Sequence, residues 1–175
     1  YWFEYQAPDR WSKHVLGLDS PSDVGACLFD VDGDGYLDFV AGGAWFRNPD
    51  VGRDPDRPWE KHVFDPDLTA VHDVLAADLD GDGWLEVVTM SDQNSLRWYK
   101  VLTDPTRAWS KTEIGAPVHA GASVGDLNGS GHLDVVRTDV FRVFRWMFRR
   151  PNPHNFGARD EAPCPTRETP ILCAG

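Results

Sequence analysis

The stretch Asp30-Val31-Asp32-Gly33-Asp34-Gly35-Tyr36-Leu37-Asp38 decides the fold of this chain. Its carboxylates alternate along the backbone, so Asp30, Asp32 and Asp34 can curl around one point, while the glycines permit the positive φ values of a tight loop. Asp38 can close this ring, and the carbonyl of Tyr36 can supply a further oxygen. Oxygen ligands at this density suit Ca²⁺, which takes about six to eight of them, better than Zn²⁺ or Mg²⁺. The stretch therefore predicts a calcium-binding loop.

The same pattern returns twice, as Asp78-Leu79-Asp80-Gly81-Asp82-Gly83-Trp84-Leu85-Glu86 and as Asp126-Leu127-Asn128-Gly129-Ser130-Gly131-His132-Leu133-Asp134. The first residues of the three loops are 48 residues apart each time. A fixed period of about 20–50 residues is typical of propellers, solenoids and repeat arrays.

An EF-hand is the obvious alternative for such a loop. It requires a glutamate at the twelfth position, between two helices, whereas the twelfth positions here are Ala41, Thr89 and Arg137. The flanks at 26–29 and 37–40 are short runs rich in residues that favour strands. The loops therefore indicate calcium-binding β-hairpins.

The repeat extends beyond the loop. An aromatic run, Trp45-Phe46-Arg47-Asn48-Pro49, leads to Trp59-Glu60-Lys61-His62-Val63, and Trp98-Tyr99-Lys100 leads in the same way to Trp109-Ser110-Lys111. Four short strands per unit predict a blade of a β-propeller. In the first whole blade we expect strands at 24–30, 36–41, 43–47 and 59–64.

The fold class predicted is all-β, a β-propeller of four-stranded antiparallel blades, with about three and a half blades in this chain. Residues 1–16 hold the last two strands of a partial blade, and 17–148 hold three blades, at about 24–64, 72–115 and 118–148, the third with an aromatic strand at 141–144. Residues 149–175 are Pro-rich and irregular. Since propellers close on themselves, we expect the ring to be incomplete here or completed by another chain; the alternative is that the tail caps the open end.

Composition restricts the partners. The formal net charge is −11, and the three loops contribute ten carboxylates; three bound Ca²⁺ would bring the balance to about −5. Such an acidic chain disfavours nucleic acid and anionic membranes as partners, and no apolar run approaches the roughly 18–20 residues of a membrane span. The sequence does not begin with Met and shows no signal peptide, so we expect a mature or truncated form.

The three cysteines fall in two contexts. Cys27 lies in an apolar strand pattern, which predicts a small buried hydrophobe. Cys164 and Cys173 lie in the Pro-rich tail, where they would form either a disulfide in an oxidising compartment or two free thiols.

The loops, the Trp-(Phe/Tyr)-x-Asn-Pro strand and the Trp-x-Lys-His-Val strand resemble the VCBS/FG-GAP family of propeller repeats, over residues 1 to about 148. The resemblance implies a calcium-loaded propeller, usually seven-bladed, in secreted, cell-surface or periplasmic proteins. Members of the family include integrin α heads, fungal lectins and propeller-type polysaccharide lyases. Fold alone does not decide between such functions.

Carried over by position, the resemblance implies three calcium sites. The ligands would be Asp30, Asp32, Asp34, the Tyr36 carbonyl and Asp38; Asp78, Asp80, Asp82, the Trp84 carbonyl and Glu86; and Asp126, Asn128, Ser130, the His132 carbonyl and Asp134. The third set keeps only two carboxylates. Because calcium affinity follows ligand charge, we expect the third site to bind weakest.

Other side chains are candidates for chemistry or packing. His72 and His119 precede two inner strands, where either could serve as the base of a lyase, with an Arg or bound Ca²⁺ neutralising the substrate carboxyl; hydrogen bonding to neighbouring turns is the alternative. His14 and His62 recur within the repeat, which favours a scaffold role. Recurrence also favours packing between blades over sugar stacking for four tryptophans, namely Trp45, Trp59, Trp98 and Trp109. Trp84, inside a loop, is expected to be partly exposed.

Three functions remain open from the sequence. The first is a non-catalytic, calcium-stabilised extracellular module that binds carbohydrate or protein. The second is a fragment of a polysaccharide lyase with His72 or His119 as base. The third is a structural subunit that docks through its open blade edges, as a homo-oligomer or with a partner chain.

Overall fold

A computed structural model describes residues 1–17, 25–117 and 121–138. The expected aromatic strand at 141–144, the tail at 149–175, His119 and the pair Cys164 and Cys173 lie outside the described residues.

The described residues form strands and turns. In chain order the strands are β1 (Trp2–Ala7), β2 (Arg10–His14), β3 (Cys27–Phe29), β4 (Asp38–Ala41), β5 (Ala44–Arg47), β6 (Glu60–Val63), β7 (Val71–Ala77), β8 (Glu86–Ser91), β9 (Leu96–Lys100), β10 (Ser110–Gly115), β11 (Ala122–Gly125) and β12 (Asp134–Arg137). Within this part of the chain, no helix has the length and hydropathy needed to cross a membrane.

These strands make four antiparallel sheets. Two of them have four strands, in the orders β3-β4-β5-β6 and β7-β8-β9-β10, and the pairs β1-β2 and β11-β12 form two-stranded sheets. The all-β class and the four-stranded antiparallel sheets are thus confirmed, and they are consistent with propeller blades. The described residues do not form a closed ring.

The first inner strand is shorter than predicted. The expectation was 24–30, whereas β3 spans Cys27–Phe29. Immediately before it, Gly25 adopts φ +82°, and a Cβ at this position would lie 2.6 Å from the Cα of Asp73. The close approach to the next sheet requires glycine here and turns the backbone out of strand geometry.

Neighbouring sheets share apolar clusters. Phe64, after β6, stacks on Trp109, before β10, with ring centroids 4.0 Å apart. Leu16 packs with Ala44 and Phe46 of the next sheet, and the remaining cluster joins Val88, Met90 and Leu96 to side chains of β11 and β12. The hydrophobic core is therefore a series of interfaces between successive sheets, as a stack of blades requires.

The inner strands of successive sheets lie side by side. β7 contacts both β3 and β11, and the backbone N–H of Ala122, in β11, donates a 2.9 Å hydrogen bond to Oδ2 of Asp73, in β7. This arrangement leaves the hairpins between first and second strands, which carry the acidic loops, at one end of the sheets.

Candidate metal sites at the acidic loops

Each acidic loop is the turn of a hairpin between the first two strands of a sheet. Phe29 pairs with Asp38, Ala77 with Glu86, and Gly125 with Asp134. The last acid of every loop therefore lies across the ladder from the residue that precedes the first acid. Pairing of this kind brings acids nine residues apart onto a single turn.

Backbone N–H groups curl the first loop around Asp30. Its Oδ1 accepts hydrogen bonds from Gly33 (2.8 Å) and Asp34 (3.0 Å), and its Oδ2 accepts one from Gly35 (2.9 Å). Gly33 and Gly35 have φ values of 76° and 92°, which side chains with a Cβ adopt with strain. The two glycines are therefore required by the curl.

The second loop repeats this geometry around Asp78. Oδ1 accepts from Gly81 (2.8 Å) and Asp82 (3.1 Å), and Oδ2 accepts from Gly83 (3.0 Å). Both glycines again have positive φ. The repeated motif thus specifies the same local structure twice.

Asp38 closes the first loop from a fully buried position. Its Oδ2 accepts the N–H of Val31 at 2.9 Å, and its Oδ1 accepts that of Asn48 at 2.8 Å. Burial raises the pKa of Asp38 to about 6, against the opposing effect of these two hydrogen bonds, and the charge of Asp32 raises it further. A bound cation would favour the ionised form instead.

Glu86 closes the second loop and is also fully buried. Its Oε2 accepts the N–H of Leu79 at 2.8 Å, whereas its buried Oε1 has no hydrogen-bond partner. Burial raises the pKa of Glu86, although the Leu79 hydrogen bond opposes this. A buried carboxylate oxygen without a partner is costly, so Oε1 calls for a cation.

Two groups of acids could hold a metal ion. Asp30, Asp32 and Asp38 form one, and Asp78, Asp80 and Glu86 form the other, with the ligand oxygens of each group within 4.8 Å of one another. Oxygens that share a Ca²⁺ at about 2.3–2.6 Å lie at most about 5 Å apart. The residues present therefore fit a hard divalent cation.

The other predicted ligands of these two loops lie at their edges. Asp34 and Asp82 are engaged by cationic side chains and do not belong to the two acid groups. Tyr36 and Trp84 were expected to contribute carbonyls, and their side chains are exposed. The indole of Trp84 is 69% exposed, as expected for a tryptophan inside a loop.

The third loop has the same curl with fewer charges. Asp126 accepts hydrogen bonds from the N–H groups of Ser130 (3.0 Å) and Gly131 (2.8 Å), and Asp134 accepts that of Leu127 (3.1 Å). Asn128 and Ser130 each accept a backbone N–H two residues on, from Ser130 and His132. This loop holds two carboxylates and so does not form an acid group like the other two.

Two cations that the sequence prediction missed lie on these loops. Arg47, at the end of β5, contacts Asp32 and Asp34, and Lys100, at the end of β9, contacts Asp80 and Asp82. The hydrogen bonds to Asp80 and Asp82 raise the pKa of Lys100. The available signal was that each residue follows the aromatic pair of its third strand.

The histidines have carboxylate partners. Nε2 of His72 lies 2.7 Å from Oδ2 of Asp92, on the turn between β8 and β9, and His14 and His62 pair with acids of their own sheets or turns. His72 and the second loop lie at opposite ends of β7, roughly 20 Å apart at about 3.3 Å per residue. A calcium ion in that loop is therefore out of reach of a substrate carboxyl held against His72.

The predicted packing role of the four tryptophans is confirmed. Trp45 is buried, and its Nε1 donates to the carbonyl of Pro105 on the next sheet at 3.0 Å. Trp109 stacks on Phe64 of the preceding sheet, while Trp59 and Trp98 pack against clusters that span two sheets. Cys27 is half-buried against the core and is a free thiol.

A groove separates the first loop from the second and is called here the inter-loop groove. Its volume is about 610 Å³, and its walls include Asp30, Asp32, Asp82, Trp84, Lys100 and Leu102. This volume lies within the range of about 300–1,000 Å³ that is usual for ligand pockets. The groove combines an apolar wall with carboxylates and one ammonium group.

Comparison with known families gives one match. The sequence model described as FG-GAP-like repeat matches residues 30–89 and again residues 78–136. Each match begins at the first acid of a loop and ends after the following loop, so the family unit coincides with the 48-residue repeat. No curated protein and no solved structure matches the chain.

Proposed function

Because the chain belongs to the FG-GAP-like repeat family, we propose that it is a calcium-stabilised, propeller-type binding module that acts outside the cell or at its surface. It recognises a carbohydrate or protein ligand without catalysing a reaction. The family is typical of recognition modules, and the acid groups of the two loops supply the oxygen ligands that calcium prefers.

Glu86 is the residue that most directly supports calcium. Its Oε1 is buried, has no hydrogen-bond donor and belongs to the acid group of the second loop. A divalent ion among these oxygens would compensate the desolvated charge, and since the ligands belong to one hairpin it would also stabilise the fold.

Isothermal titration of metal-free protein with calcium tests this part. We expect two saturable binding events, and we expect calcium to raise the melting temperature because it binds the folded state only. Glu86→Gln should remove one event and leave the other. Wild-type protein that neither binds calcium nor melts higher in its presence contradicts the proposal.

The inter-loop groove is the proposed ligand site. The exposed face of Trp84 can pack against the apolar face of a sugar ring, while Asp32 and Asp82 can accept hydrogen bonds from its hydroxyls. Calcium in the flanking loops would hold these groups in place. Carbohydrate is therefore the ligand class that this groove favours.

A glycan array probed with calcium-loaded protein identifies the ligand. We expect Trp84→Ala to abolish binding without changing the melting temperature, because the indole is exposed. Trp11→Ala is the matched control, since Trp11 is equally an exposed tryptophan but lies on β2. Equal glycan binding by the Trp84→Ala variant and the wild type would exclude the groove.

A further blade is the proposed partner of the β1-β2 sheet. Phe3, Phe46 and Tyr99 hold the same register position, one residue after the tryptophan of an aromatic strand. Phe46 is 2% exposed, covered by Leu16 and Gly17 of the preceding unit, whereas Phe3 is 57% exposed. Its face is thus of the kind that the preceding blade covers elsewhere.

Sedimentation in millimolar calcium tests whether a second copy supplies that blade. We expect self-association of the wild type and a monomer for Phe3→Glu, because the charge would lie in the apolar interface. Glu4→Gln, on the other face of β1, is the control and should still associate. A wild-type chain that remains a clean monomer contradicts completion of the ring by a second copy.

A further inference from the structure

A side-chain cation lies on each of the two fully acidic loops. Lys100 contacts Asp80 and lies 2.5 Å from Oδ2 of Asp82, and its Nζ is 3.7 Å from the unpartnered Oε1 of Glu86. Three of the four carboxylates of the second loop therefore surround this one ammonium group. The loop is already neutralised in part before any metal ion binds.

Arg47 has the corresponding place on the first loop, with one difference. Its Nε lies 2.7 Å from Oδ2 of Asp32 and its Nη2 3.1 Å from Oδ2 of Asp34. Both oxygens of Asp38 are bound by backbone N–H groups instead. The guanidinium thus holds the two outer acids of its loop, whereas the ammonium of Lys100 also lies near the closing acid.

The position of these cations is a property of the repeat. Arg47 lies 15 residues after Asp32, and Lys100 lies 20 residues after Asp80, because the connection between β8 and β9 is longer. In spite of this difference, each ends the third strand of its sheet and reaches the second and third acids of its loop. The contact therefore follows from sheet register and strand order.

We propose that Lys100 competes with calcium for the second loop: its ammonium group holds the acids together in the calcium-free protein and leaves them when the ion enters. A divalent ion among Asp78, Asp80 and Glu86 would lie within a few ångströms of this ammonium, and like charges at that separation repel strongly where solvent is partly excluded. Arg47 competes for the first loop in the same way but less, because it does not approach Asp38.

This inference rests on the proposed calcium binding and adds a regulator of its affinity. The second loop has four carboxylates, as many as the first, yet its affinity is expected to be lower than that number suggests. Lys100 therefore shifts the occupancy of the wall of the inter-loop groove to higher calcium concentrations.

Lys100→Gln tests the competition, with Lys111→Gln as the control. Lys111 has the same charge, but its partner is Asp65, away from the loops. Terbium luminescence excited through Trp84 reports on the second loop, and displacement of terbium by calcium gives the calcium affinity. We expect Lys100→Gln to tighten binding at this loop by roughly tenfold, as the loss of one charge-assisted contact at the site predicts, and Lys111→Gln to change it little.

Lys100→Arg provides a second check, because it retains the charge and should keep the affinity within a few-fold of the wild type. The melting temperature of each variant in excess chelator shows whether it is folded, and we expect Lys100→Gln to melt lower than the wild type only when calcium is absent. Wild-type calcium binding that Lys100→Gln leaves unchanged or weakens overturns the competition but not the proposed function. Absence of calcium binding in the wild type overturns both.

Discussion

The phenol of Tyr99 donates a 2.7 Å hydrogen bond to the buried carboxylate of Asp65. Asp65 lies after β6, on the connection between the two four-stranded sheets, and Tyr99 lies on the third strand of the next sheet. The same Oδ2 lies 2.9 Å from Nη1 of Arg97 and 3.3 Å from Nζ of Lys111. Each buried charge thus has a partner, which is the condition for burying it at an interface between sheets.

Removing this carboxylate should destabilise the protein more than removing the phenol. Asp65→Ala leaves Arg97 buried without its partner, which costs about 3–5 kcal/mol. Tyr99→Phe removes one hydrogen bond from a charged acceptor, at about 1.5–3 kcal/mol. Urea denaturation in saturating calcium measures both free energies of unfolding. Tyr5→Phe, on the exposed face of β1, should change stability little, and a similar small effect for Asp65→Ala would show that the network is not stabilising.

Asp65 also makes stability depend on pH. Burial alone would raise its pKa, but the hydrogen bonds from Tyr99, the Asp67 amide and Lys111 together hold the pKa below its usual value. A carboxyl whose pKa is lowered on folding contributes its stability in full above the unfolded pKa, about 3.9, and loses it as pH falls through the folded pKa. We therefore expect the stability difference between wild type and Asp65→Asn to shrink below about pH 4.

Denaturation curves between pH 3 and pH 7, recorded in chelator, test this difference. The chelator keeps calcium from changing with pH, and the loop acids are common to both proteins, so their contribution cancels in the comparison. A difference that stays constant over the whole range would mean that Asp65 is not the titrating group.

The third loop should become a stronger calcium site when it regains its acids. Asn128→Asp together with Ser130→Asp restores the pattern of the first two loops, and each added carboxylate should raise calcium affinity roughly tenfold, because affinity follows ligand charge. Isothermal titration should then show one more binding event than the wild type at the same calcium concentration. Gln6→Glu, an equal change of charge at an exposed position on β1, should add none.

The Cys27 thiol should react slowly in the folded protein. Burial raises its pKa to about 12, and the nearby charge of Asp73 adds to the effect, so the reactive thiolate is scarce at neutral pH. With Cys164 and Cys173 replaced by serine, labelling with a chromogenic disulfide should be slow in buffer and fast in denaturant. Fast labelling of folded protein would contradict the packing of Cys27 against the core.

Much of the fold follows from a short motif because that motif determines local geometry. The glycines at positions 33 and 35 fix a turn, the acids fix its curl, and the alternating residues on each side continue as two strands. The 48-residue period then repeats this hairpin, so the order of strands in both four-stranded sheets could be predicted. The main correction is the length of the first inner strand, which Gly25 shortens through its approach to the next sheet.

Contacts between sheets could not be predicted in this way. Asp65 and Arg97 are 32 residues apart, and no periodic feature connects a loop acid with a cation on the following sheet. Lys100 was visible after its aromatic pair, but only the register of β9 against its neighbours brings it to the second loop. The inter-loop groove likewise depends on how two sheets pack, which a one-dimensional pattern does not contain.

The backbone hydrogen bonds around Asp30 and Asp78 have a kinetic consequence. Because these amides curl each loop without a metal ion, a calcium ion meets ligands that are already arranged and does not have to wait for the chain to fold around it. Entry should then be limited by the loss of water from the ion and, in the second loop, by the departure of Lys100. The two loops should accordingly differ in the speed with which they follow a sudden change in calcium concentration.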